Sequence, residues 1–327
     1  MKKKLSLILV VVMLLATALC ACGGGGEEGG GDAATPYKIS MATGGTSGTY
    51  YGFSGIVAQV LNDNVGDVMN IGVESTGASK ANVQLVETGE AQMAIVQNDV
   101  MYYAATATDL FANEAPYENF SAVMSMYPET VQIVANKSIT SIDQLVGKKV
   151  SVGDAGSGVE FNAKQVLAAY GISFDDIVVN NQGFGDSADS LKNGTIDAAF
   201  VVAGAPTTAV TELASTYDFN VLTIDDAHAD ALMADYGFYT KVNIPAGTYS
   251  PVTEDVQTVA VMATYIAKND VPEDVVYAFV KAIFDNKDKI AAGHSKGELI
   301  DLETAVSGIG IDFHPGAQKY YEEQGAL

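Results

Sequence analysis

MATGGTSGTYYGF, residues 41–53, decides how the rest of the chain is read. A strand-like segment, 37–42, leads into it, and an apolar helical pattern leaves it and runs to about residue 61. A glycine-rich turn between strand and helix presents unpaired backbone N–H groups at the positive end of the helix dipole. Glycine lets a ligand come close to that backbone, so such a turn is suited to an anion. Thr46, Ser47 and Thr49 add hydroxyl donors.

The anion is not expected to be a nucleotide. A P-loop needs Gly-Lys-Ser/Thr at the helix start, and residues 44–53 hold no lysine. The dinucleotide spacing of glycines is not met, and no acid stands in a clear second strand to take a ribose. Hydrolysis is not expected either. Ser157 lacks a nucleophile elbow, because positions 155 and 159 are Ala and Val. His228, His294 and His314 lie far along the chain and form no metal spacing. The expectation is a binding protein rather than an enzyme, with no cofactor and no metal.

Composition narrows the setting. Residues 1–21 read as a signal peptide: three lysines, then an apolar run of about 15 residues, short of the roughly 20 needed to span a bilayer. The run ends in Leu19-Cys20-Ala21-Cys22, which resembles a bacterial lipobox with Cys22 as the lipidated residue. Residues 22–36 are a Gly/Glu-rich tether with few side chains to pack. The mature chain then has one cysteine, acylated, and neither a disulfide nor a thiolate metal site is expected. The whole chain carries −23, and −26 once residues 1–21 and their three lysines are gone. Nucleic acid is therefore excluded as a partner by charge. All 17 basic residues are lysine, so the usual bidentate clamp for carboxylate is missing.

Strand-like segments at 37–42, 69–74, 92–97, 121–126, 131–136, 149–153, 176–180, 197–202 and 219–224 alternate with helix-like ones at 48–62, 78–88, 99–106, 141–146, 158–170, 186–193, 207–216 and 226–235. This predicts α/β layers with largely parallel sheets, and a mostly helical last third from Glu254. About 290 residues after the tether suit two lobes better than one core. Each half opens a helix with a Ser-Gly step, at Ser47-Gly48 and Ser157-Gly158.

Ala42–Tyr51 resembles the opening motif of the TAXI family, the substrate-binding proteins of TRAP (tripartite ATP-independent periplasmic) transporters. Glu74–Ser79 with Asn82, Gln97-Asn98-Asp99, Val152–Gly158 with Asn162, and His314–Tyr321 continue the resemblance in order over residues 37–327. Val159-Glu160 departs from it where a hydroxyl residue is expected. The resemblance implies a two-lobed, type II periplasmic-binding fold with a ligand cleft between the lobes. Lobe one would comprise 37–126 plus 240–327 and lobe two 127–239, with crossings near 125–131 and 222–240.

Ligand contacts are expected from Gly45, Thr46, Ser47, Thr49, Tyr50 and Tyr51 in the opening turn. Ser75, Ser79 and Asn82 stand at the next strand end, where open α/β sheets bind. Gln97 and Asp99 follow the third strand, with Asp99 either a cap or a partner for a ligand ammonium. Ser157, Gly158 and Asn162 face them from lobe two, with Pro206 as a wall. The cargo implied is a small carboxylate, a glutamate-like amino acid or a dicarboxylate. It would be delivered to TRAP membrane subunits by a monomer held on the outer face of the cell membrane. The alternatives are a ligand sensor for a membrane kinase and an enzyme acting on a small exported metabolite.

Overall fold

The opening segment Tyr37–Ala42 forms β1, with Ile39, Met41 and Ala42 buried beneath exposed Lys38. The computed structural model describes residues 35–327, so the signal peptide, Cys22 and all but the end of the tether lie outside the described residues. Helix α1 (Thr49–Val65) returns the chain to β2 (Met69–Glu74), and α2 (Ser79–Thr88) returns it to β3 (Met93–Gln97). β2 and β3 both pair with β1 in parallel. Helix α3 (Asn98–Thr106) follows directly.

A second unit of the same kind comes later. β5 (Lys149–Ser151), α4 (Gly158–Ala169), β6 (Val178–Asn180), α5 (Phe184–Lys192) and β7 (Ala198–Ala203) place β6 and β7 parallel to β5. α6 (Thr208–Ala214), β8 (Phe219–Val221) and α7 (Asp226–Asp235) complete it.

Two long strands join the units. β4 runs unbroken from Phe120 to Asn136 and β10 from Val256 to Lys268. They pair with each other, antiparallel, from Phe120↔Lys268 to Thr130↔Ala260. Beyond that stretch β4 continues along β7 and β8, while β10 continues along β9 (Thr240–Ile244). The result is one sheet in the order β2-β1-β3-β10-β4-β7-β5-β6, with β8 on β4 and β9 on β10. Helices α8 (Glu273–Asp285), α9 (Lys287–Gly293), α10 (Leu302–Val306) and α11 (Pro315–Gln324) close the chain.

Three expectations are corrected. Segments 121–126 and 131–136 are one strand, because Pro128 is accommodated inside β4 opposite Met262. β10 stands where helix was expected from Glu254 onward, and β9 forms where no element was expected. β10 is buried along most of its length, which erases the alternation that marks a half-buried strand. The sheet is mixed, since β10 is antiparallel to β3 and β4, and β4 to β7.

Phe53, Met41, Tyr127, Val276, Phe279 and Tyr321 anchor the core of the first unit. Phe200, Val150 and Leu167 anchor that of the second. Ile244, Tyr249, Val252 and Val256 pack with Leu213 and Phe219, on the second unit. By this packing the return to the first unit lies within β10, not near the expected 222–240.

Candidate functional site

A cavity of about 420 Å³ lies between the two units. Four helix starts line it. Gly48 precedes α1, Ala78 precedes α2, Ser157 precedes α4 and Gly183 precedes α5, and all four line the space. Each start leaves backbone donors without an intrahelical partner, and the four dipoles add where they converge. Only Ser157 among these four has a side-chain cap, its hydroxyl accepting from Glu160 N at 3.2 Å. The other three starts keep their N–H groups free of a cap from that residue's side chain.

Of the residues expected at the ligand, Gly45, Thr46, Ser47, Thr49, Tyr50, Ser75, Ser79, Gln97, Ser157 and Gly158 line the cavity. Tyr51, Asn82, Asp99, Asn162 and Pro206 do not. Asn82 is a buried strut whose amide donates to the backbone of Thr43 and of Ile95. Asp99 and Asn162 meet behind the cavity, where Asn162 Nδ2 donates to Asp99 Oδ2 at 3.0 Å and to Tyr239 Oη at 2.7 Å. Pro206 is exposed, and the peptide before it is cis.

The two units touch across the cavity's margins. Thr49 Oγ1 donates to Gly204 O at 3.0 Å, and Ala209 N donates to Ser47 O at 3.2 Å. Lys296 Nζ donates to Ala205 O at 2.5 Å. Gln97 Nε2 donates to Asn162 Oδ1 at 2.9 Å. At Gly158 a Cβ would fall 1.9 Å from Gln97 Oε1, so only glycine permits this approach. The arrangement is that of a closed cleft.

The lining also holds what the sequence reading left out: Glu129, Gly183 to Asp186, Val202 and Ala203, with Asp154 from a motif it did quote. Glu129 sits mid-strand in β4, only 2% exposed. Burial pushes its carboxyl up to about 8, Asp99 adds to the rise, and Tyr50 and Gln97 partly offset it. Burial likewise raises Asp99 to about 6, against its bonds from Val100 N and Asn162. Asp154 is raised by burial and by Asp186 on the same rim. In the sequence Glu129 is the one charged residue between 120 and 136, a mark that takes its meaning only from the strand it proves to lie in.

Two α/β units on one mixed sheet, joined by two long strands and enclosing a cavity at their helix starts, define the periplasmic-binding-protein fold. The chain belongs to the NMT1-like family, whose model matches residues 41–325. Solved structures similar to it include the periplasmic aliphatic sulphonate binding protein SsuA of Escherichia coli, at 14% identity over 88% of this chain and 83% of that one, TM-score 0.50. A structure from Bordetella bronchiseptica RB50 has 15% identity over 90% of each chain and a TM-score of 0.53. A Streptococcus mutans structure, described for glutathione import through GshT and the cystine ABC importer TcyBC, has 12% identity over 82% and 99%, TM-score 0.52. At these identities the likeness is one of fold.

Proposed function

We propose that this protein is an extracytoplasmic solute-binding protein, anchored by lipid on Cys22, which captures a small carboxylate and delivers it to the membrane subunits of a TRAP transporter. The observation that carries the reading is the convergence of four helix starts on one enclosed cavity. Such a site neutralises a carboxylate without arginine. A charge-assisted hydrogen bond contributes roughly 1.5–3 kcal/mol net, and a micromolar affinity needs about 8. Four or five contacts, less the cost of closing the lobes, reach that value.

Nothing in the cavity lining supplies a nucleophile with an adjacent base, which favours carriage over catalysis. The proposed cargo is a glutamate-like amino acid or a dicarboxylate. The likeness to a component described with an ABC importer supplies the rival membrane partner. Crosslinking in native membranes, followed by mass spectrometry of the captured protein, tests the assignment. A multi-span TRAP subunit is expected; an ABC permease or a receptor kinase overturns it. The ligand retained through gentle purification should be a small carboxylate, chemically unchanged.

A further inference from the structure

We infer that Glu129 and Gln97 form a subsite in the cleft that receives a primary ammonium group of the ligand. The inference rests on the reading of the cleft as a solute site and narrows what the solute is.

Both side chains line the cavity, and both are almost wholly buried, at 2% and 1% exposed. Glu129 Oε1 and Gln97 Oε1 have no hydrogen-bond partner. The bond from Gln97 Nε2 to Asn162 of the other lobe fixes which way its amide faces. Two oxygens thus stand buried at one cavity without a hydrogen bond, and the donors nearest Glu129, the Tyr50 hydroxyl and the Gln97 amide, only partly offset its burial. Leaving such atoms unpaired costs about 1–3 kcal/mol each, so the site is incomplete as it stands.

The missing group must donate several hydrogen bonds and fit among buried side chains. An ammonium has three donors and no acceptor. A carboxylate at the same spot would bond Glu129 only while that acid keeps its proton, and would set lone pairs against Gln97 Oε1. A metal ion is a poorer fit, since no cluster of three or more His, Cys, Asp or Glu side chains exists among the described residues. The lining contains no lysine or histidine that could pair Glu129 from within. Asp154 and Asp186 on the opposite wall add negative charge. Convergent helix starts for a carboxylate, together with an acid and an amide oxygen for an ammonium, describe an amino acid rather than a dicarboxylate.

The same geometry couples binding to a proton. The groups that act on Glu129 are Tyr127 on its own strand, Tyr50 from α1, and Gln97 and Asp99 from β3 and α3, with Asp154 and Asp186 elsewhere in the cavity lining. None is a cation. In the empty cleft Glu129 keeps its proton at neutral pH. An entering ammonium is paired by the ionised carboxylate, and that proton leaves to solvent. Affinity for an ammonium ligand should therefore rise with pH from 6 to 8.

Calorimetry with L-glutamate, with glutarate (the same chain without the ammonium) and with 1,4-diaminobutane tests this, the panel being extended to all twenty amino acids. At least one amino acid is expected to bind, and glutarate at least about 30-fold more weakly, the scale for losing one partner of a buried charge pair. Glu129→Gln should lose a similar factor for that amino acid and flatten the pH dependence. Glutarate binding as tightly as any amino acid overturns the subsite while leaving the carboxylate reading intact. So does an unaltered affinity in Glu129→Gln. Diaminobutane binding that depends on Glu129, with every amino acid rejected, upholds the subsite and overturns the carboxylate reading. No binding across the panel overturns both. The wild-type comparison needs no variant to fold.

Discussion

Gln97 Nε2 donates to Asn162 Oδ1 at 2.9 Å, so two residues 65 apart in sequence tie the two halves of the molecule behind the cleft. Asn162 then passes its own two donors to Asp99 and Tyr239. The bonds from Gln97 to Asn162 and from Asn162 to Asp99 span the two halves, so opening the cleft would break them, while the bond to Tyr239 stays within the second half. The bond network therefore belongs to one position of the lobes and biases the equilibrium between positions.

Asn162→Ala should shift that equilibrium. It strands the Gln97 amide and removes a donor from Asp99, at about 1–3 kcal/mol for each buried group left unpaired. Small-angle scattering with saturating ligand should show a larger radius of gyration than wild type. Ligand affinity should fall roughly 10- to 100-fold. A closed scattering profile at wild-type affinity would refute the role.

Gly158→Ala should act by obstruction. The new methyl would meet Gln97 Oε1 at 1.9 Å and Cδ at 2.7 Å. Overpacking of this kind costs about 1–3 kcal/mol, here charged to the closed form alone. Affinity should drop by about 5- to 150-fold, while the ligand-free melting temperature stays within a few degrees. An unchanged affinity would mean that the ligand is held in a more open cleft.

Glu129→Gln should change the pH dependence of stability in the ligand-free protein. Below its ordinary value of 4.5 the carboxyl is neutral, folded or unfolded. Between 4.5 and about 8 the unfolded chain gives up this proton and the folded chain keeps it. The folded state then binds more protons, so stability falls as pH rises through that window and levels off above it. Each pH unit is worth at most about 1.4 kcal/mol. Glutamine does not titrate, so the variant should match wild type near pH 4 and melt several degrees higher at pH 8. Parallel melting curves across pH 4–8 would contradict the buried neutral acid.

Cys22→Ala should release the protein from the membrane with its melting temperature unchanged, since the anchor is read to lie outside the folded body. Membrane fractionation and mass spectrometry of the N-terminal peptide decide it. A Cys22→Ala protein that still sediments with membranes would refute lipidation at that residue.

The opening turn was legible because its signals are local. A strand, a run of glycines and hydroxyls, and an apolar helix period follow one another within 30 residues, and β1 and α1 lie where the pattern puts them. Ser157-Gly158 was legible for the same reason. Glu129 was not, because its meaning depends on what surrounds it. An acid between two apolar runs reads as a turn until β4 is seen to pass through it. β10 was missed because a strand buried on both faces carries no period to distinguish it from a helix. Asn82 shows the reverse case. Its position at a helix start suggested a ligand contact, yet its amide is spent on the backbone of Thr43 and Ile95. Which polar groups remain free after such pairing is a property of the assembled fold, and spacing alone does not report it.

The passage of β4 and β10 between the lobes has a mechanical consequence. Neither connection is a slack loop; each is a strand laddered to its neighbour from Phe120↔Lys268 to Thr130↔Ala260. Register shifts between Ala263 and Thr264 and between Tyr265 and Ile266 bend the ladder on the first lobe's side of the crossing. Two bonded ribbons side by side flex readily out of their common plane and resist sliding or in-plane rotation, as a leaf spring does. Such a pair favours opening and shutting of the cleft along one arc, with its rims brought back into the same alignment.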